Sequence, residues 1–217
     1  MILRLFAALA LSVWFATVSR ADVCPLAGDT QGMPDGLVNL GGVAYTRGDH
    51  AAAAVYYERA LAAAKKARWT AREAVGHSNL GQVRLALGEH EAAAQHLEIA
   101  CRLGEEGGYL DVLADSARAL AEVELARGAV DAAVERARAA ITHAERSKTP
   151  SFLGMAHATA MNCCLAKLHR DRDRSAFEEA RKHKEEACVI LRQIGQPHTA
   201  ESVATRFGQG SNATIDA

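Results

Sequence analysis

The sequence is poor in aromatic residues: Phe, Trp and Tyr together make up 5% of the chain. A β-sandwich would want more aromatic and β-branched side chains than this. Scarcity of that kind, beside very frequent alanine, points to helices that approach one another through small residues. Neither sign of charge dominates either. With 25 basic and 26 acidic residues the formal net charge is -1 and the pI is near 6.8, so no global field favours nucleic acid or an anionic membrane. The sequence also lacks C-x-x-C, H-E-x-x-H and C-x-x-C-H, and no Gly-rich phosphate loop opens a helix after a strand. Its five cysteines, at 24, 101, 163, 164 and 188, are too few and too scattered for a disulfide framework. Neighbouring Cys163 and Cys164 could join only through a strained ring that a helix does not accommodate. They read as small buried apolar residues, a disulfide at Cys24 being the main rival.

A long apolar run occurs only once, at the start. Met1 to Arg4 supplies one positive charge, Leu5 to Val18 is almost unbroken in its apolarity, and Ser19-Arg20-Ala21 places small residues at a cleavage point. This order is that of a secretory signal peptide spanning 1–21, followed by a linker at 22–34. The run is shorter than the roughly 18 to 20 residues that cross a bilayer as a helix. An uncleaved segment would instead make the chain a membrane-anchored cytoplasmic adaptor. The remainder is mildly acidic, and its Ala/Arg-rich usage suggests a bacterial source.

What is abundant is repetition. "NLGQVRLALGEHEAAA", residues 79–94, echoes "NLGGVAYTRGDHAAAA" at 39–54. Gly48, Gly88 and Gly128 fall 40 residues apart, each followed five residues later by Ala53, Ala93 or Ala133. Leu40, Leu80 and Leu120 precede these glycines, and apolar residues recur behind them at spacings of three and four, so each unit is a helical hairpin. Gly41, Gly81 and Ala121 are small where the two helices of a hairpin cross. Gly48, Gly88 and Gly128 end the first helix at positive φ, and Asp49 and Glu89 open the second against its dipole. Thr70 to Glu73 and Ser175 to Glu178 match the capping box. Helices are predicted near 35–47, 49–67, 71–87, 90–104, 111–127, 130–147, 151–168, 175–194 and 199–207. The fourth unit departs: Met161 stands at the crossing, and "HRDRDRS" replaces the short turn as a charged loop, its charges pairing internally or docking an anionic partner.

Leu37, Leu40-Gly41, Gly48-Asp49, Ala53, Tyr57 and Ala60 resemble the tetratricopeptide signature, as do His77, Leu80-Gly81, Gly88-Glu89, Ala93, Leu97 and Ala100. A third unit matches through Leu120, Ala121, Gly128, Ala133 and Ala140, and the fourth matches loosely. The long period is similar to that of kinesin light chain type repeats. The resemblance implies an all-α, right-handed α-solenoid of about four hairpins, at 35–69, 70–109, 110–148 and 150–194, with a capping helix at 199–207. A disordered tail would occupy 209–217.

The resemblance further implies that a protein partner, an amphipathic helix or an extended segment, binds a concave groove lined by the first helices. Carried over by position, the groove comprises Tyr45, Gln82, Leu85, Arg118, Glu122, Leu125, Asn162 and Leu165, with Val38, Gly42, Ser78 and Ala158 beside them. The carboxylate clamp of chaperone-binding members is missing: Asn79 fits its middle role, but Val38, Gly42, Asp115 and Ala119 do not fit the others. The leading expectation is therefore a non-catalytic, periplasmic interaction scaffold without a cofactor, working in an envelope assembly or secretion complex. The alternative from another class is a metal- or redox-active helical protein using His157, Cys163 and Cys164, since His157, Met161 and Cys164 share one helical face.

Overall fold

The computed structural model describes residues 32–215. The signal-peptide and Cys24 expectations lie outside them. Only helices occur among the described residues: α1 (Gly32–Thr46), α2 (His50–Ala67), α3 (Thr70–Ala86), α4 (His90–Gly107), α5 (Leu110–Ala126), α6 (Val130–Ser147), α7 (Pro150–Asp171), α8 (Arg174–Gln193) and α9 (Pro197–Ile215). None of them is long and apolar enough to cross a membrane. The chain divides into two compact units, one running to Val112 and the other starting at Leu113.

In the first unit α1 pairs with α2, α3 pairs with α4, and α2 packs against α3. The crossings are as close as the small residues suggest. Ala53 and Ala93 are fully buried, and a methyl group added to Gly81 would overlap Leu97 and stand 3.2 Å from the Ala93 carbonyl oxygen. Gly41 is held against the Tyr57 ring in the same way. Here glycine is needed for space. At Gly48 and Gly88 nothing lies within 4 Å of an added Cβ, and what requires glycine is the backbone, at φ +80° in both. Asp49 then caps α2, accepting a hydrogen bond from the Ala52 amide at 3.0 Å, a contact worth about 1 kcal/mol. The core of this unit gathers Tyr45, Tyr57, Leu61, Leu80 and Val83 with Ala53 and Ala54.

The second unit packs α6 on α7, α7 on α8 and α8 on α9, and α9 also reaches α7. Ala121, Ala133, Ala137, Ala160 and Cys163 form one buried cluster there. Met161, which replaces the crossing glycine, is fully buried.

Several boundaries differ from the sequence expectation, each for a physical reason. The capping boxes do not form: Trp69 is the N-cap of α3, without a side-chain bond, and Asp173 is the N-cap of α8. Asp173 accepts from the Ser175 amide at 2.8 Å and from its hydroxyl at 2.7 Å, so the acid upstream captures the position that Ser175 was expected to hold. Most of "HRDRDRS" is helical. α7 continues to Asp171 because no glycine stops it, and Arg170 pairs with Asp131 at 2.8 Å and with Asp171 at 2.6 Å. The reversal then falls on Arg172, in the left-handed region at φ 56°. α9 passes through the predicted tail to Ile215, and its Gly210 is a packing glycine: an added Cβ would lie 2.9 Å from Leu165. Leu40 is 50% exposed while Leu80 and Leu120 are buried, since among the described residues no helix precedes α1 to cover it.

Candidate functional site

The groove positions carried over from the repeat signature lie at different depths. Tyr45, Gln82, Leu85, Arg118 and Leu165 are buried, and Glu122, Leu125 and Asn162 are half-buried. Tyr45 belongs to the core of the first unit, its ring set edge-on to His50 with centroids 5.0 Å apart. Leu125 packs on the Ala121 and Ala133 cluster. The apolar groove positions Tyr45, Leu85 and Leu165 are thus interior, because alanine-rich helices approach so closely that the side chain beside the crossing is enclosed with it.

In the first unit one open cleft lies nearer the starts of the first helices. A cleft of about 290 Å³ is lined by Asp35, Val38 and Asn39 from α1, Ala60 from α2, and Ala71, Arg72 and Val75 from α3. Arg72 donates to both Asp35 carboxylate oxygens, at 2.8 and 2.7 Å, and its guanidinium stands 4.9 Å from the Trp69 ring. The bidentate bond to Asp35 raises the Arg72 pKa above its ordinary value. Two valines beside an exposed ion pair give the cleft an apolar and a charged side. Of its residues the sequence reading had placed only Val38 beside the groove. The Asp35–Arg72 pair joins residues 37 apart in sequence, and no local pattern announces it.

In the second unit the first-helix face is filled from within. Arg118, 4% exposed, donates to Asp115 at 2.8 Å and to Glu122 at 2.8 Å, which offsets the cost of burying its charge. Thr159 donates to the same Glu122 oxygen at 3.2 Å. Arg206 of α9 is attracted to Glu122, while burial pulls its pKa down to about 10. Together with the Gly210 contact to Leu165, this places α9 against groove positions of its own unit.

The residues of the metal or redox alternative are not brought together. Cys163 is buried in the α5–α6–α7 cluster, where desolvation raises its pKa well above the ordinary thiol value. The Cys164 thiol donates to Glu179 at 3.7 Å, and burial pushes it up to about 11. Thiols held protonated in this way are poor nucleophiles and poor ligands. His157 instead faces α8. Among the described residues one group of three potential metal ligands converges, His157 with His183 and Glu186, and neither cysteine joins it. His183 and Glu186 were not singled out from the sequence. A comparison of repeat registers would have found His183, since His96 and His183 each lie three residues after Ala93 and Ala180, the matching alanines of hairpins two and four, whereas Glu186 has Ile99 as its counterpart.

No family model matches the sequence, and no curated protein matches it either. Among solved structures the chain is similar to BtubC (BKLC) from P. vanneervenii, a kinesin light chain-like protein, at 16% identity and a TM-score of 0.58. The match covers 85% of this chain and 83% of that one. At that identity the likeness speaks for the fold, an all-α solenoid of tetratricopeptide-like helical hairpins.

Proposed function

We propose that the chain is an exported, non-catalytic scaffold that holds a segment of a protein partner between the first helices of its first two hairpins, within an envelope assembly or secretion complex. The observation that carries the reading is the cleft between α1 and α3, where Val38 and Val75 lie beside the Asp35–Arg72 pair. Its size suits one or two side chains of an extended or helical segment, and the ion pair offers an acceptor and a donor to the segment's polar groups. The helical-repeat fold supports a scaffold, since such hairpins present helix faces for recognition. Export rests on the basic, apolar and small-residue order of residues 1–21.

The test is in two parts. A photo-crosslinking residue at position 75 is expected to capture one partner in the native envelope, and Val38→Glu with Val75→Glu is expected to lose that partner while helicity by circular dichroism stays unchanged. Capture that survives the double substitution would place the binding surface elsewhere. The mass of the N-terminus is expected to correspond to a chain beginning at Asp22. A chain still beginning at Met1 would refute cleavage and leave a membrane-anchored adaptor.

A further inference from the structure

Hairpins two and four carry a histidine at the same place on each helix. His77 and His157 lie four residues before the crossing residues Gly81 and Met161, and His96 and His183 lie three after Ala93 and Ala180. At the same register hairpin one has Leu37 and Tyr56, and hairpin three has Ala117 and Arg136. The two pairs share nearly the same distances and interplanar angle. Nδ1 faces Nδ1 at 2.9 Å in His77–His96 and 3.0 Å in His157–His183, with ring centroids 5.1 and 5.2 Å apart and the same 38° between planes.

They differ in the residue one turn further along the second helix. Hairpin two has Ile99 there; hairpin four has Glu186, whose Oε2 stands 3.0 Å from His157 Nδ1. The ligand atoms of His157, His183 and Glu186 all lie within 4.8 Å of one another. A proton on His157 Nδ1 would serve both the His183 nitrogen and the Glu186 oxygen, each 3.0 Å from it.

We propose that hairpin four binds a divalent transition-metal cation of the Zn²⁺ class through His157 Nδ1, His183 Nδ1 and the Glu186 carboxylate, leaving an open position towards solvent. Binding takes the place of that shared proton: His157 gives up its Nδ1 proton to water and takes one from water at Nε2, so its ring stays neutral, and three metal–ligand bonds form with no change of oxidation state. Zinc sits about 2.0–2.1 Å from imidazole nitrogen and 2.0–2.2 Å from carboxylate oxygen, which sets tetrahedral ligand atoms roughly 3.3 Å apart. The two separations from His157 Nδ1, 3.0 Å to His183 and 3.0 Å to Glu186, need open by only a few tenths of an ångström. Two imidazoles and one carboxylate suit zinc and its first-row neighbours, whereas Mg²⁺ and Ca²⁺ take all-oxygen shells. Burial lowers both histidine pKa values, which keeps the rings neutral as ligands must be. Glu186 and Glu179 act in the opposite sense, and Lys182 and Arg138 add to the lowering. The ring of His157 is enclosed while the Glu186 side chain is 39% exposed, so an ion enters from the carboxylate side.

The test uses the full processed chain, stripped with a chelator and titrated with Zn²⁺, then with Co²⁺ for its visible ligand-field spectrum. One equivalent is expected to bind, with a tetrahedral Co²⁺ spectrum. Glu186→Gln and His183→Gln are each expected to weaken binding roughly tenfold or more, while His77→Gln leaves it unchanged. Glu186→Gln is isosteric and partly exposed, so its fold is preserved, and circular dichroism checks this. Absence of a bound equivalent at 100-fold excess of ion, or binding that both hairpin-four substitutions leave intact, would overturn the proposal.

Discussion

Hairpins two and four are built on one plan and solve its central crossing in opposite ways. Hairpin two places Gly81 under Leu97, and both are fully enclosed. Hairpin four places the large, fully buried Met161 at the glycine's position, and the residue at the register of Leu97 is Lys184. Lys184 extends to the Phe207 ring of α9, 5.0 Å from its centroid, and Phe207 stacks on Phe177 at 5.6 Å. One hairpin fills the crossing from its second helix and the other from its first. The difference teaches that what the repeat specifies is the summed volume at the crossing, not the glycine itself.

That comparison breaks most severely if the two solutions are mixed. Gly81→Met, with Leu97 retained, puts both large residues in one space and is expected to cost about 3 kcal/mol in thermal or urea unfolding. Adding Leu97→Ala is expected to return part of that loss. A single substitution without effect would show that the helices can slide apart, and the volume argument would fail.

The next effect concerns the histidine pairs. The His77–His96 pair sits among cations: burial is the main cause of its lowered pKa values, Lys65 lowers both, and Arg102 adds to the shift of His77, which falls to about 4. In the unfolded chain the same ring titrates near 6.5, so between about pH 6.5 and 4 the unfolded state binds more protons than the folded one. Stability therefore falls as pH drops through this window, by at most about 1.4 kcal/mol per pH unit for one such ring. His77→Gln is expected to flatten the stability–pH curve there by a total on the order of 2 kcal/mol. His157→Gln is expected to flatten it less, because Glu186 opposes the lowering in hairpin four. Equal flattening would mean that the carboxylate does not distinguish the pairs.

How much of this was legible in the sequence follows from the range of each interaction. Gly48, Gly88 and Gly128 could be read as turns because positive φ is a local demand that glycine meets alone, and φ of 80, 80 and 78° is what the chain adopts. Ala53, Ala93 and Ala133 could be read as crossing residues from their fixed distance to those turns. The Asp35–Arg72 and His157–His183 contacts span 37 and 26 residues, and a search along one helix face joined His157 to Met161 and Cys164 instead. "HRDRDRS" was read as a loop from its composition, but helix dihedrals satisfy its backbone and neighbouring acids satisfy its arginines. Gly208 and Gly210 look like stop signals, yet packing on Leu165 carries the helix past them, tertiary contact outweighing propensity.

A smaller effect sharpens the metal comparison. Ile99→Glu gives hairpin two the carboxylate that hairpin four has at the same register, and a second Zn²⁺ equivalent is expected. Lys65 and Arg102 repel a cation at this place, so the new site is expected to be roughly tenfold weaker than the first, about 1.4 kcal/mol. A titration that still saturates at one equivalent would show that two imidazoles and a carboxylate in this register do not suffice.

The smallest effect lies in the turns. Gly88 reverses hairpin two at φ +80°, and Arg172 reverses hairpin four at φ 56°, its amide donating to the Leu168 carbonyl at 2.9 Å. A non-glycine residue in the left-handed region carries a cost of about 1–2 kcal/mol, whereas glycine loses about 0.5–1 kcal/mol of chain entropy on folding. The two terms partly cancel, so Arg172→Gly is expected to stabilise hairpin four by only about 0.5 kcal/mol. Gly88→Ala is expected to cost hairpin two about 1 kcal/mol from its own backbone conformation, with nothing added by neighbouring elements, since none lies within 4 Å of the added Cβ. Urea midpoints of the two variants should therefore move in opposite directions. Were both to fall, the Arg172 side chain would be contributing more to the fold than its backbone conformation costs.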